Sequence, residues 1–64
     1  MKKISVDNGN TFVTVQDALQ EQSMATIRNY MDDELCEQIH GTVDTEEEFI
    51  NAYLKHAKED LIIG

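Results

Sequence analysis

Apolar residues along this chain follow two spacings, and each predicts a different kind of element. β-branched and aromatic residues dominate 3–6 and 11–13, and the order Asp-Asn-Gly-Asn at 7–10 separates them. Asn and Gly tolerate the positive φ angles of a tight turn, so the two segments predict an N-terminal β-hairpin. The turn also resembles the start of a calcium loop, but the other ligands of that motif are missing and the turn explains the residues without calcium.

Helical spacing begins at Thr14 and continues through a string of short segments. Thr14, Ser23 and Asp32 are each suited to cap a helix N-terminus, because their side-chain oxygens accept hydrogen bonds from free backbone N–H groups. The first helix is expected to end near Glu21, and Gly41 is expected to end the third. The middle of the chain is therefore predicted to hold three short helices.

The clearest amphipathic pattern starts at Thr45, which forms a capping box with Glu48. Apolar residues then recur at helical spacing: Phe49, Ile50, Tyr53, Leu54 and Ala57. Further on, Ile62 and Ile63 favour a closing strand. We therefore predict one small α+β domain over residues 1–64, with an N-terminal β-hairpin, three to four short helices and a short C-terminal strand joining the sheet.

The size of the chain limits its stability. A domain of 64 residues buries only about 60% of the surface of its unfolded chain, and Cys36, the only cysteine, has no partner for a disulfide within the chain. Small domains often gain stability from a second subunit. A stripe that contains Met24, Met31, Tyr30 and Tyr53 is expected to be core, but it could also pack against a copy of itself in a homodimer.

The charge of the protein lies entirely in its second half. The formal net charge is −8, and residues 32–64 hold ten acids against Lys55 and Lys58, whereas residues 1–31 are balanced. No Lys or Arg occurs from Asp32 to Glu48. Such a one-sided charge bears on the choice of partner and not on the fold.

Helix capping explains part of this acidity, because an acid in the first turn of a helix contributes roughly 0.3 to 1 kcal/mol. It does not explain why bases are missing, so we predict a protein partner with a basic surface, such as a nuclease or an RNA-guided effector. The predicted partner-binding residues are Asp32, Asp33, Glu34, Glu37, Asp44, Glu46 and Glu47. If the two acidic helices are antiparallel, these residues form two clusters and not one continuous surface.

The candidates for chemistry are few. Cys36 and His40 lie four residues apart, as metal ligands often do, and His56 could approach from the last helix, but no recognised ligand spacing completes a site. A cysteine packed beside Leu35 and Ile39 is the preferred interpretation. No metal or cofactor is assigned. Since nothing supplies an oxyanion site or a phosphate loop either, the protein is predicted not to be an enzyme.

The location is predicted to be cytoplasmic. The polar residues Ser5 and Asp7 come soon after Lys2 and Lys3, so no apolar segment of a signal peptide develops. The longest aliphatic run is 61–63. We therefore expect no membrane segment. The excess of acid repels phosphate, so direct binding of nucleic acid is not expected.

Three segments carry a resemblance to a known group of proteins: Ser-Val-Asp-Asn-Gly-Asn-Thr-Phe-Val at 5–13, Tyr-Met-Asp-Asp-Glu-Leu at 30–35 and Asp-Leu-Ile-Ile-Gly at 60–64. The chain resembles the small acidic proteins carried by phages and conjugative elements of Gram-positive bacteria. The resemblance implies a mobile-element setting, in which such proteins often act as anti-restriction or anti-CRISPR inhibitors. It assigns a role to no residue.

The functional prediction is a non-enzymatic acidic protein that inhibits a host defence nuclease, of anti-CRISPR or anti-restriction type, by occupying its basic nucleic-acid-binding surface. The alternative is a homodimeric interaction or regulatory module, in which the acids serve solubility. Its contacts would come from the Met and Tyr stripe or from the edge formed by residues 61–63.

Overall fold

A computed structural model describes residues 2–64; Met1 lies outside the described residues. The described elements are β1 (Ile4–Ser5), α1 (Val15–Glu21), α2 (Met24–Arg28), α3 (Asp33–Ile39), α4 (Glu46–His56) and β2 (Leu61–Ile62). The two strands pair in parallel, with Ile4 opposite Leu61. The chain between parallel strands must cross over, and here the four helices form the crossover. The predicted α+β fold is confirmed.

The N-terminal hairpin is short. Its second arm pairs with β1 only through an antiparallel bridge between Val13 and Ile4. The turn between the arms has positive φ at Asn8 (61°) and Gly9 (88°), as its residues predict. Pairing stops at Val13 because the next residue, Thr14, already caps α1.

All four predicted helix starts are confirmed by hydrogen bonds. Each cap side chain accepts a backbone N–H of the first turn: Thr14 from Asp17, Ser23 from Thr26, Asp32 from Glu34 and Thr45 from Glu48. Glu48 completes its capping box by accepting the N–H of Asp44 at 3.1 Å. Gly41 follows the end of α3 with φ of 84°, a conformation that glycine adopts without steric cost.

One apolar core joins the helices to the sheet. Every element contributes a buried residue, and the most completely enclosed large side chains are Ile4, Ile27, Ile50 and Ile63. The turn after β1 is tied to this core through Ser5, whose buried hydroxyl accepts the N–H groups of Asp7 and Gly9. The fold therefore brings the two ends of the described chain together and leaves the helices to carry the charge.

Candidate acidic binding surface

The seven predicted partner-binding acids are all exposed. Asp32, Asp33 and Glu34 lie at the start of α3, and we call them the α3 cluster. Asp44, Glu46 and Glu47 lie at the start of α4, and we call them the α4 cluster. Glu37 lies between them, one turn along α3. Exposure makes all seven available to a partner, and the fold arranges them in two groups.

A single hydrogen bond indicates how the two clusters are placed. The backbone N–H of Asp32 donates to the hydroxyl of Tyr53 at 2.9 Å, so the start of α3 lies beside the last turns of α4. Tyr53 is seven residues beyond Glu46, which corresponds to about 10 Å at 1.5 Å per residue. α3 and α4 therefore run antiparallel, and the α4 cluster lies at the far end of the pair.

Two of the three acids of the α3 cluster, Asp32 and Asp33, are engaged in local structure. Asp32 accepts the N–H of Glu34 at 2.8 Å as the helix cap. Asp33 forms an ion pair with Arg28, in which the guanidinium donates a hydrogen bond to the carboxylate over an N–O distance of 2.9 Å. This hydrogen bond is the main cause of the raised pKa of Arg28. Both partners of the pair are solvent-exposed, so water screens it. Arg28 thus offsets part of the charge at this end.

The α4 cluster is less engaged. In the described residues, the carboxylates of Glu46 and Glu47 make no hydrogen bond or ion pair, and the same holds for Glu34 and Glu37. Their neighbour Glu48, in contrast, is used by its capping box. When these carboxylates meet a cation of a partner, they give up hydration but no hydrogen bond or ion pair within the described residues.

The structure adds two acids that the sequence interpretation did not include. Glu59 and Asp60 follow α4 and reach the same end of the molecule as the start of α3. There they line one side of an open groove of about 900 Å³, which we call the C-terminal groove; it also includes Tyr30, Asp32, Glu34 and Ile62. The sequence does contain a signal for these two acids. A closing strand that joins the sheet must bring residues 59 and 60 back from the end of α4 toward β1.

The residues considered for chemistry are dispersed. Cys36 is only 3% exposed, and its thiol lies 3.8 Å from the sulfur of Met31. Burial is the main cause that raises the pKa of this thiol, which favours the protonated and unreactive form. His40, which follows the last residue of α3, and His56, the last residue of α4, are both exposed. No group of three potential metal ligands occurs among residues 2–64. Cys36 therefore acts as a core residue.

The Met and Tyr stripe is divided between core and surface. Met31 and Tyr53 are buried, Met24 is half-buried, and Tyr30 is 46% exposed. In the closing strand, Ile62 is 37% exposed between two buried neighbours. Most of the stripe is therefore used by the core. Tyr30 is the member of the stripe that stays exposed, and Ile62 is exposed in the closing strand.

Comparison with known proteins finds a matching family model. The family model described as anti-CRISPR protein AcrIC5 matches residues 18–59, about two thirds of the chain. No curated protein and no solved structure matches. The matched range contains all seven predicted partner-binding acids and excludes both strands. Within the part of the chain that the structure describes, no helix has the length and apolar character needed to cross a membrane.

Proposed function

Because this chain belongs to the AcrIC5 family of anti-CRISPR proteins, we propose that it inhibits a CRISPR-Cas complex by occupying a basic, nucleic-acid-binding surface of that complex. The family membership bears out the anti-CRISPR setting that the sequence resemblance implied. The target surface, and the part that the acids play in binding it, are the content of the proposal. The proposal also includes that the protein inhibits its target by binding to it and does not catalyse a reaction.

One observation carries the proposal: every acid from Asp32 to Glu48 is exposed, and no Lys or Arg lies among them. RNA-guided effectors hold nucleic acid in positively charged channels, which recognise the phosphate backbone rather than its sequence. Carboxylates can occupy such phosphate positions. A ligand of this kind associates quickly because opposite charges steer it, and it binds less well as salt concentration rises.

The dimensions of the protein are compatible with this role. The two clusters lie about 10 Å apart along α4, which corresponds to roughly three phosphate steps at 3.4 Å per nucleotide of one strand. The longest dimension of the molecule is 31 Å. That length is just under one turn of B-form DNA, about 34 Å. The protein would therefore cover a short stretch of a nucleic-acid channel and leave the rest open.

The test is a competition experiment on a purified CRISPR-Cas complex with labelled target DNA. Wild-type protein is expected to displace the DNA at stoichiometric amounts, with weaker displacement at high salt. The double variant Glu46→Gln and Glu47→Gln removes two free carboxylates and is expected to lower affinity roughly tenfold or more. The fold should survive with a modest fall in thermal unfolding temperature, since these side chains make no hydrogen bond or ion pair within residues 2–64 but their charges favour the start of α4.

A matched control removes the same charge from the balanced half of the chain. Asp17→Asn with Glu21→Gln also neutralises two exposed helical acids, here on α1, and is expected to inhibit as well as wild type. If both double variants inhibit equally well, the acids of the α4 cluster do not contact the target. In that case inhibition depends on another surface.

A further inference from the structure

We infer that the C-terminal groove is a docking site for an arginine-bearing, basic segment of the CRISPR-Cas protein that the protein binds. This inference rests on the proposed function and gives it a second contact. The α4 cluster supplies free charge at one end of the helix pair. The C-terminal groove, at the other end, combines charge with exposed apolar surface.

The apolar part of the groove consists of side chains that the core leaves uncovered. The large hydrophobic side chains that are exposed in residues 2–64 are Phe12, Tyr30 and Ile62, and the last two line this groove. Aromatic residues in partly enclosed positions often anchor protein interfaces, because they bury a large area at little cost in conformational entropy. The groove thus contains two exposed apolar side chains that could anchor a partner. Phe12 lies outside the groove and serves as a control for them.

The charge of the groove selects a basic occupant. Its acids are Asp32, Glu34, Glu59 and Asp60, and against them stand Lys58 and the exposed His56. Even with a charged histidine, the acids remain in excess. A cationic segment would therefore gain electrostatic energy here, whereas an acidic segment or a nucleic acid would be repelled.

Arginine fits this lining better than lysine. A guanidinium can lie flat on the ring of Tyr30 while its N–H groups pair with a carboxylate, and the compact ammonium of lysine lacks this planar fork. Two of the carboxylates are already fixed in position. Asp60 accepts the backbone N–H of Lys3 at 2.8 Å, and Asp32 caps α3, so an incoming guanidinium meets acids that need little rearrangement.

The edge of β2 gives the occupant a preferred conformation. The N–H groups of Leu61 and Ile63 donate to β1, at Lys3 and Ser5, so the intervening N–H of Ile62 points to the opposite edge of the strand. An extended segment could add one main-chain hydrogen bond there, as in strand addition to a sheet edge.

The first test compares three variants in binding to the purified CRISPR-Cas complex. Tyr30→Ala and Ile62→Thr are each expected to weaken binding roughly tenfold. Phe12→Ala, which removes an aromatic side chain of similar exposure outside the groove, should change affinity by less than about twofold. Thermal unfolding must show that all three variants fold. Wild-type affinity in both groove variants would overturn the docking inference.

The second test uses NMR of the wild-type protein with two peptides of equal charge, acetyl-Arg-Leu-Arg-amide and acetyl-Lys-Leu-Lys-amide. The arginine peptide is expected to give the larger shifts, centred on Tyr30, Glu34 and Ile62. Equal shifts from both peptides, or shifts confined to the α4 cluster, would contradict an arginine site.

The two proposals fail in different ways. Loss of binding in the Glu46 and Glu47 variant with normal binding in both groove variants would overturn the docking site and leave the proposed function standing. Loss of binding in the groove variants with normal binding in the Glu46 and Glu47 variant would support the docking site and exclude the α4 cluster from the contact with the target. If sedimentation shows a dimer that Tyr30→Ala dissociates without loss of inhibition, the groove holds a second copy of the chain, and the inference is wrong.

Discussion

The α3 cluster and the α4 cluster each contain three acids but occupy different places in the fold. Both lie at a helix start, and in both an exposed acid is available to a partner. In the α3 cluster, however, Asp32 caps its helix and meets Tyr53, while Asp33 is paired with Arg28. In the α4 cluster, capping falls to Thr45 and Glu48, and Glu46 and Glu47 stay free.

This difference separates stability from binding. A substitution of Asp32 or Asp33 removes a contact of the fold together with the charge, so its effect on a partner is difficult to interpret alone. A substitution in the α4 cluster changes the charge and leaves the hydrogen bonds of residues 2–64 in place. An acid near a helix start can therefore either take part in the fold or stay free for a partner, and the contacts in the structure distinguish the two cases.

The largest expected effect on stability comes from removing the contact that joins the two helices. Tyr53→Phe deletes the hydroxyl that accepts the N–H of Asp32 and leaves that partly buried group without its partner, which we expect to lower the free energy of unfolding by about 1 to 3 kcal/mol. Urea denaturation measures the change. Tyr30→Phe removes a hydroxyl from an exposed ring and should change stability by less than about 0.5 kcal/mol; equal losses would mean that the contact contributes nothing.

The next effect concerns the cap itself. Asp32→Ala removes the side chain that accepts the N–H of Glu34, and loss of such a cap typically costs about 1 kcal/mol. Glu37→Ala, on the same helix, removes an exposed acid that makes no hydrogen bond or ion pair in the described residues and should stay within about 0.5 kcal/mol of wild type. Thermal unfolding of the two variants, under identical conditions, compares them. Should Glu37→Ala prove the more damaging, the assignment of Asp32 as the essential cap is wrong.

The helices of this protein could be predicted from the sequence because their ends are marked by local chemistry. Thr14, Ser23, Asp32 and Thr45 each bond within one turn, so neighbouring residues are enough to identify them. The hairpin was harder, since Thr14 draws the chain into α1 directly after Val13 and leaves one bridge where a full arm was expected.

The candidate surface was only partly predictable, because it depends on contacts between distant residues. The acids themselves are evident in the sequence, and their division into two clusters required only the antiparallel packing that Tyr53 indicates. The contribution of Glu59 and Asp60 requires the pairing of β2 with β1. The exposure of Tyr30 has a local cause: α2 ends at Arg28, so the helical spacing that placed this ring beside the core no longer applies.

The smallest expected effect extends the comparison to an acid outside both clusters. Asp7 accepts hydrogen bonds from the hydroxyl and N–H of Thr11 and from the hydroxyl of Ser5, and these lower its pKa from 3.8 to about 2, with the Thr11 hydroxyl as the main cause. A carboxyl whose pKa is lower in the folded protein than in the unfolded chain stabilises the fold fully above its ordinary pKa. That stabilisation is lost as pH falls toward 2.

Unfolding of wild type and Asp7→Asn at pH 4, 3 and 2 tests this expectation. The wild type should be the more stable at pH 4, and the difference should shrink as pH falls, because the protonated carboxyl and the amide are then both neutral. A difference that stays constant from pH 4 to 2 would mean that the charge of Asp7 does not stabilise the turn. Asp7 would then contribute no charge-dependent stability despite its hydrogen bonds. Hydrogen bonds alone would not be enough to separate acids that stabilise the fold from acids such as Glu46 and Glu47.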